Sequence, residues 1–294
     1  MTLLLQTVIF GCLVGGVYAL MSSGFTLIFG VMNVINLAHG SMIVLGAYVS
    51  WWLWHETGLD PLLLGLCACV PMAAVGWLLY KAVVAQVQRI DPGLTLVATF
   101  AFSMVGEGVI TLIWGNSAHA STPGYFTTSY HLGSLAIPKA QFYACLGALA
   151  VLGALFALLH RTFLGRAIRA CASSRSGAEL IGVNVEQSMA QMFALGVATT
   201  GFGGAALSVL YQFTPDSQDI WIGRVLCVVV LGGLGSLAGA ALGAVLLGLG
   251  ETLTSTYWSV SWTTSVPYML ILAVLLLRPQ GLFGATLRRE GSQA

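Results

Sequence analysis

The sequence predicts an all-α polytopic membrane protein of about eight transmembrane segments, two of them fold-back elements in a parallel internal repeat. Three observations predict it. Of 294 residues, 57% are hydrophobic and only 7% charged, whereas a water-soluble domain carries about 25% charged residues. The apolar residues run in continuous stretches rich in Leu, Ala and Gly, without the alternation of a β-barrel. No formal charge occurs before Glu56, and a spanning helix needs about 20 mostly apolar residues.

The segments follow in order. The first, 3–22, lacks the basic n-region of a secretory signal and reads as a retained span. The others are 24–54, 61–80, 93–114, 140–159, 189–210, 222–250 and 263–277, all within one transmembrane domain covering 1–294. Charge and turn residues separate them: Glu56 to Pro61, Lys81 to Pro92, Gly115 to Lys139, and His160 to Asn184. Six cysteines lie mostly inside apolar runs with no C-x-x-C pair, so they read as small packing residues, not as disulfides or a metal site.

Basic residues mark the cytoplasmic side. Arg161, Arg166, Arg169 and Arg175 crowd one loop; Arg278, Arg288 and Arg289 follow the last span; Lys81 and Arg89 mark a third inner turn. Glu56, Asp60, Asp216 and Asp219 fit the outside. Trp51, Trp52, Trp54, Trp258 and Trp262 lie near outer boundaries and read as interfacial anchors.

Counting crossings then places both ends of 222–250 on the outer face, since 189–210 arrives there and 263–277 must leave from there. Its glycine-rich middle, "LGGLGSLAGAALGA", suits a re-entrant pair. The same logic permits a fold-back at 24–54 with the N-terminus cytoplasmic, and a single long tilted crossing there is the competing arrangement. Such backbone must be buried in protein or line an aqueous cavity, because lipid offers no hydrogen-bond partner. "LVGGVYAL" (13–20) followed by "NLAHGSMIVLGAY" (36–48) is echoed by "GFGGAALS" (201–208) followed by "SLAGAALGAVL" (236–246). This is a parallel repeat of the kind that transporters and channels use.

The cytoplasmic stretch 160–188 has its own signals. Ser176-Gly177-Ala178-Glu179 fits a capping box, Gly182 fits a helix stop, and Asn184-Val185-Glu186-Gln187 fits a second box opening the next span. A short, well-delimited helix here exceeds what topology alone requires and suits transmission of force from a partner.

"GFTLIFGVMNVINLAHGSMIVLGAY", "GRAIRACA" with "GAELIGVNV", "VLGGLGSLAGAALGA" and "LRPQGLFG" together resemble the signature stretches of the Liv-type permeases. These are the membrane subunits of bacterial branched-chain amino acid ABC importers, and the chain looks most like the H-type permease. The resemblance runs from about residue 4 to 284. It implies an inner-membrane permease that pairs with a paralogous permease, two cytoplasmic ATPases and a periplasmic substrate-binding protein. It also implies that Arg175 to Gly182 forms the coupling helix, comprising Arg175, Ser176, Ala178, Glu179, Leu180 and Gly182. Ser174 stands where the family often has an acidic residue. No cofactor is expected on this chain. No G-x-x-x-x-G-K-[ST] occurs, and the only lysines, Lys81 and Lys139, follow Tyr and Pro, so ATP and Mg would belong to partner subunits and the chain is not an enzyme.

The candidate pathway residues are Asn33, Asn36, His39, Ser41 and Glu107. The first three fall at i, i+3 and i+6, one side of a helix. They either line a pathway or bond a broken backbone, and freed backbone groups in a membrane favour the bond. Glu107 is an intramembrane carboxylate and a functional candidate by default, set against an interhelical hydrogen bond. Glu251 reads as a cap or interface contact. Gly11/Gly15 and Gly235/Gly239/Gly243 allow close helix packing, more simply internal than between chains.

Two other classes compete. An aquaporin-like passive channel would share the size, fold-backs and repeat, but "NLA" at 36–38 lacks the proline of that family's signature and a channel needs no capped cytoplasmic helix. An intramembrane enzyme finds no H-E-x-x-H and no readable base for Ser236.

Overall fold

A computed structural model describes residues 2–133, 135–278 and 280–282. Arg288, Arg289 and the end of "LRPQGLFG" lie outside them. The elements are α1 (Thr2–Met32), α2 (His39–Thr57), α3 (Pro61–Leu79), a π-helical turn (Tyr80–Val84) and α4 (Ala85–Ile90). Then come α5 (Leu94–Trp114), an antiparallel hairpin of β1 (Ser129–Leu132) and β2 (Leu135–Pro138), α6 (Lys139–Arg161), α7 (Phe163–Ser173) and α8 (Arg175–Leu180). The last are α9 (Val185–Leu210), α10 (Gln218–Gly232), α11 (Leu237–Tyr257) and α12 (Val266–Leu277).

Among the described residues, seven helices are long and apolar enough to cross a membrane, one fewer than the eight segments expected. α2 and α10 are not among the seven. α10 has 15 residues, about 22 Å at 1.5 Å per residue, and α2 is diluted by His39, Ser41, His55 and Glu56.

α9 is the central post, and 83% of its span is buried. Small residues let its neighbours approach. Gly201 lies against Ala68 and Cys69 of α3, Gly196 against Gly24 of α1, and Gly204 against α2, where an added Cβ would fall 2.3 Å from the Ala47 nitrogen. In a bilayer, where lipid is as apolar as Leu, such close contact and not hydrophobicity holds helices together.

The break expected near residue 23 is absent. Ser23 donates to Leu20 O and Thr26 to Ser22 O, absorbing these polar groups into an uninterrupted 31-residue helix. The chain breaks only at 33–38. A contact at the N-terminus decides between the two arrangements of 24–54. Gln6 Nε2 donates to the Ala136 carbonyl of β2, 3.2 Å away, so α1 begins at the end of the bundle opposite α7 and α8. By the basic-residue argument that end is outside, and α1 crosses inward. Segment 24–54 therefore does not begin and end on one face.

α10 and α11 do form an antiparallel hairpin, with Gly243 against Val228 and Gly239 against Gly232. Its tip, Gly233–Ser236, meets Gly30 near the inner end of α1 through Gly235. Gly281 packs on Gly233, and Leu282 N–H donates to Leu231 O at 2.8 Å, latching the chain after α12 to the same tip.

The two glycine-rich stretches of the repeat make reciprocal contacts, though not at matching positions. Gly15 of α1 abuts Ala244 and Val245 of α11, while Gly204 of α9 abuts Ile43, Gly46 and Ala47 of α2. Each half of the repeat packs its first helix on the other half's second. Of the expected anchors, Trp258 and Trp262 are exposed, but Trp51 turns inward, its ring 4.1 Å from that of His119.

Candidate functional site

The break between α1 and α2 arises from local chemistry. Asn33 has φ +55°, the one left-handed non-glycine residue among those described, and Asn tolerates that region as a helix stop. Asn33 is exposed. Because 33–38 is not helical, Asn33, Asn36 and His39 do not share one helix face as expected. Asn36 and His39 are fully buried.

His39 Nε2 donates to the Met21 carbonyl at 2.8 Å, and its ring packs edge-on to Phe25 at 5.8 Å. This ties the start of α2 to the middle of α1. Ser41 Oγ donates to Ala38 O at 2.8 Å, and Leu37 N–H donates to Thr99 Oγ1 of α5 at 3.2 Å. Asn36 differs: neither its Nδ2 nor its Oδ1 has a protein partner, although the residue is inaccessible. Buried amides are normally hydrogen-bonded, which sets Asn36 apart from His39 and Ser41.

Glu107, in the outer half of α5, accepts a hydrogen bond from Gln218 Nε2, 2.5 Å away on the first turn of α10. The N-terminal turn of α2 wedges between these helices, with Gly40 against the Gln218 carbonyl and Ser41 beside Gly106. Ser41, far away in sequence, is thus set beside Gly106, the neighbour of Glu107, and Asn33 is left out. Gln218 is the residue that sequence reading missed; it follows the turn "TPDS" and resembles an ordinary polar cap. A cavity of about 100 Å³ opens here, lined by Leu37, Phe100, Ser103, Gln218, Asp219 and Ile222.

Arg224 was also missed. Its Nε donates to Glu251 Oε1 at 2.8 Å, and Tyr18 donates to the other carboxylate oxygen at 2.5 Å. Its guanidinium lies 4.6 Å from the Trp221 ring centre. Glu251 is therefore one half of a buried ion pair joining α10, α11 and α1, more than a helix cap. Gly235, with φ +85°, and Gly239 and Gly243 serve the packing of this hairpin and its contact with α1. Ser236 caps α11 by accepting from Gly239 N–H.

At the inner end, α7 is capped by Thr162 and runs amphipathically to Ser173. The cap of α8 is Ser174, which accepts from Gly177 N–H at 3.0 Å. This corrects the capping box expected at Ser176 and Glu179; the extended backbone at Ser174 makes it the residue whose hydroxyl meets the orphan N–H. Gly182 has φ +83° and ends the turn as expected, with Val183 N–H donating to Ala178 O and Gly182 N–H to Glu179 O. Asn184 then caps α9 through Gln187 N–H. Ala178 faces inward and is buried. Arg175, Ser176, Glu179, Leu180 and Gly182 are exposed, and Leu180 and Ile181 present 89% and 74% of their surface. A groove of about 480 Å³ lies beside them, between Phe163 and Ala167 of α7 and Gln187 and Gln191 of α9. Lys81 and Arg89 both reach Glu186, at 3.2 and 3.1 Å, tying the inner ends of the π-turn and α4 to α9.

No cluster of potential metal ligands occurs among the described residues. The chain is 28% identical over 294 residues to the high-affinity branched-chain amino acid transport system permease protein LivH of Escherichia coli K12, covering 95% of each chain. It is 27% identical to the permease protein BraD of Pseudomonas aeruginosa, again over 95% of each. It is also 26% identical to the permease protein LivM of Escherichia coli K12, over 92% of this chain and 68% of that one. No solved structure matches. The family model described as "Branched-chain amino acid transport system / permease component" matches residues 7–276, and the chain belongs to that family, as a multi-pass permease subunit of an importer in the inner membrane.

Proposed function

We propose that this subunit carries amino acids, branched-chain ones by the names of its relatives, through a path bordered by the α1–α2 break. A second, paralogous permease completes the path, and two cytoplasmic ATPases and a periplasmic binding protein complete the importer. Similarity to both LivH and LivM proteins supports a paralogous permease partner. The relatives give no support to the channel alternative. Asn36, His39, Ser41 and Glu107 border the path in this reading, and Asn33 sets the break that shapes it. ATP and Mg act on the partner subunits.

The observation that carries the reading is α8. A six-residue helix held by caps at both ends, with two large apolar side chains turned to solvent, is poorly explained as a connector between spans. It suits a rigid knob that an ATPase grips, with Leu180 and Ile181 at the contact and Ala178 as its seat on α7 and α9. ATPase closure then moves α8, and the capped junctions with α7 and α9 pass the motion into the bundle, opening the path to alternate sides.

The test is Leu180→Asp in the complex with both ATPases, the second permease and the binding protein reconstituted in vesicles. The expected outcome is normal assembly of the permease pair with loss of ATP-driven uptake. Uptake at the wild-type rate would overturn the assignment of α8.

A further inference from the structure

The contact between Glu107 and Gln218 has a feature that helix packing does not explain. Gln218 is buried, one N–H of its Nε2 is bonded to Glu107, and its Oε1 has no partner although the residue borders the 100 Å³ cavity. Asp219, the next residue, lines the same cavity and is exposed. The cavity is bordered by Gln218, with its unpartnered amide oxygen, and by the acidic residue Asp219, and Glu107, bonded to Gln218, adds a second carboxylate beside them. Neither acid has a basic partner among the ion pairs of the described residues, which join Lys81 and Arg89 to Glu186 and Arg224 to Glu251.

Position sharpens the point. Glu107 lies seven residues before the outer end of α5, about 10 Å below it at 1.5 Å per residue, and is only half buried. An uncompensated carboxylate at that depth cannot face hydrocarbon and must face a wet cavity or another protein. Phe100, Leu37 and Ile222 supply apolar walls next to the acceptors.

We infer that Glu107, Gln218 and Asp219 form a subsite for a primary ammonium group, the α-amino group of the transported amino acid, as it crosses the outer half of the path. An ammonium has three donors and no acceptor, and an unpartnered amide oxygen adjoins two acidic residues here. The apolar walls receive the carbon next to the amine, and the cavity fits that head group but not a whole leucine. This inference rests on the transport reading above and names the groups that recognise the solute.

The test is uptake of radiolabelled L-leucine by the full reconstituted complex carrying Glu107→Gln, or the exchanged pair Glu107→Gln with Gln218→Glu. Two amides can still hydrogen-bond, so a purely structural contact survives the single change, whereas an ammonium subsite loses its charge. The expected result is a fall of roughly tenfold or more in uptake for the single variant, since charge-assisted bonds are about twice as strong as neutral ones. Substantial recovery is expected in the exchanged pair, with co-purification of the permease partner equal in all three. Single-variant uptake within about twofold of wild type, or no recovery in the exchanged pair, overturns the inference. A wild-type complex that takes up no amino acid overturns the transport reading itself, and this inference with it.

Discussion

Arg224 and Glu251 face each other across the α10–α11 hairpin, 2.8 Å apart, with 11% and 6% of their side chains accessible. Both charges are sealed by Tyr18, Tyr211 and Trp221. Apolar surroundings make such a pair expensive to create and more expensive to halve.

Removing one partner should therefore hurt more than removing both. Arg224→Leu or Glu251→Leu alone is expected to cost about 3–5 kcal/mol, because each strands a buried charge, while the double replacement costs much less. Thermal unfolding of the detergent-purified protein measures this. Equal losses in the single and double variants would show that packing, not charge, sets the stability of the hairpin.

The seam between α9 and α2 has no room for a side chain. Gly204→Val is expected to destabilise by at least about 1–3 kcal/mol, the range for overpacking a close-packed interior, and to lower the folded yield in membranes. Gly108, with nothing within 4 Å of its Cβ position, should accept the same substitution with little change. Fluorescence-detected size exclusion of the two variants checks the contrast.

Asn33 and Asn36 should part company. Asn33→Gly keeps the left-handed stop and is expected to leave uptake near wild type, whereas Asn33→Val costs about 1–2 kcal/mol from the strained backbone. Asn36→Leu removes an amide with no protein partner, so stability should hold while uptake falls. Parallel measurements of melting temperature and leucine uptake separate the two positions. A loss of stability without loss of transport at Asn36 would make it a structural residue.

Fold class was legible because composition and basic loops are read along the chain, whereas crossing parity alone left the course of 24–54 open. The glycines of 232–243 signalled the close packing of α10 on α11, and Gly182 the end of the short helix before α9. What failed was local or long-range. Ser22-Ser23-Gly24 looks like a break, but Ser23 and Thr26 bond their own helix carbonyls and so conceal themselves in an apolar run. The cap slipped from Ser176 to Ser174 because both hydroxyls precede a helical turn and only backbone conformation chooses between them. Gln218 and Arg224 carried no motif; their partners, Glu107 and Glu251, lie 111 and 27 residues away.

The reciprocal packing of the two halves has a consequence for biogenesis. The seam of Gly15 closes only on Ala244 and Val245, which leave the ribosome some 230 residues later, roughly 10–50 s at typical bacterial elongation rates. Throughout that interval α1 sits in the bilayer with its groove unfilled, and α2 waits likewise for α9. A nascent or truncated chain ending before α9 displays two orphan small-residue grooves at once. That is the signature by which membrane chaperones and proteases could tell an unfinished subunit from a finished one.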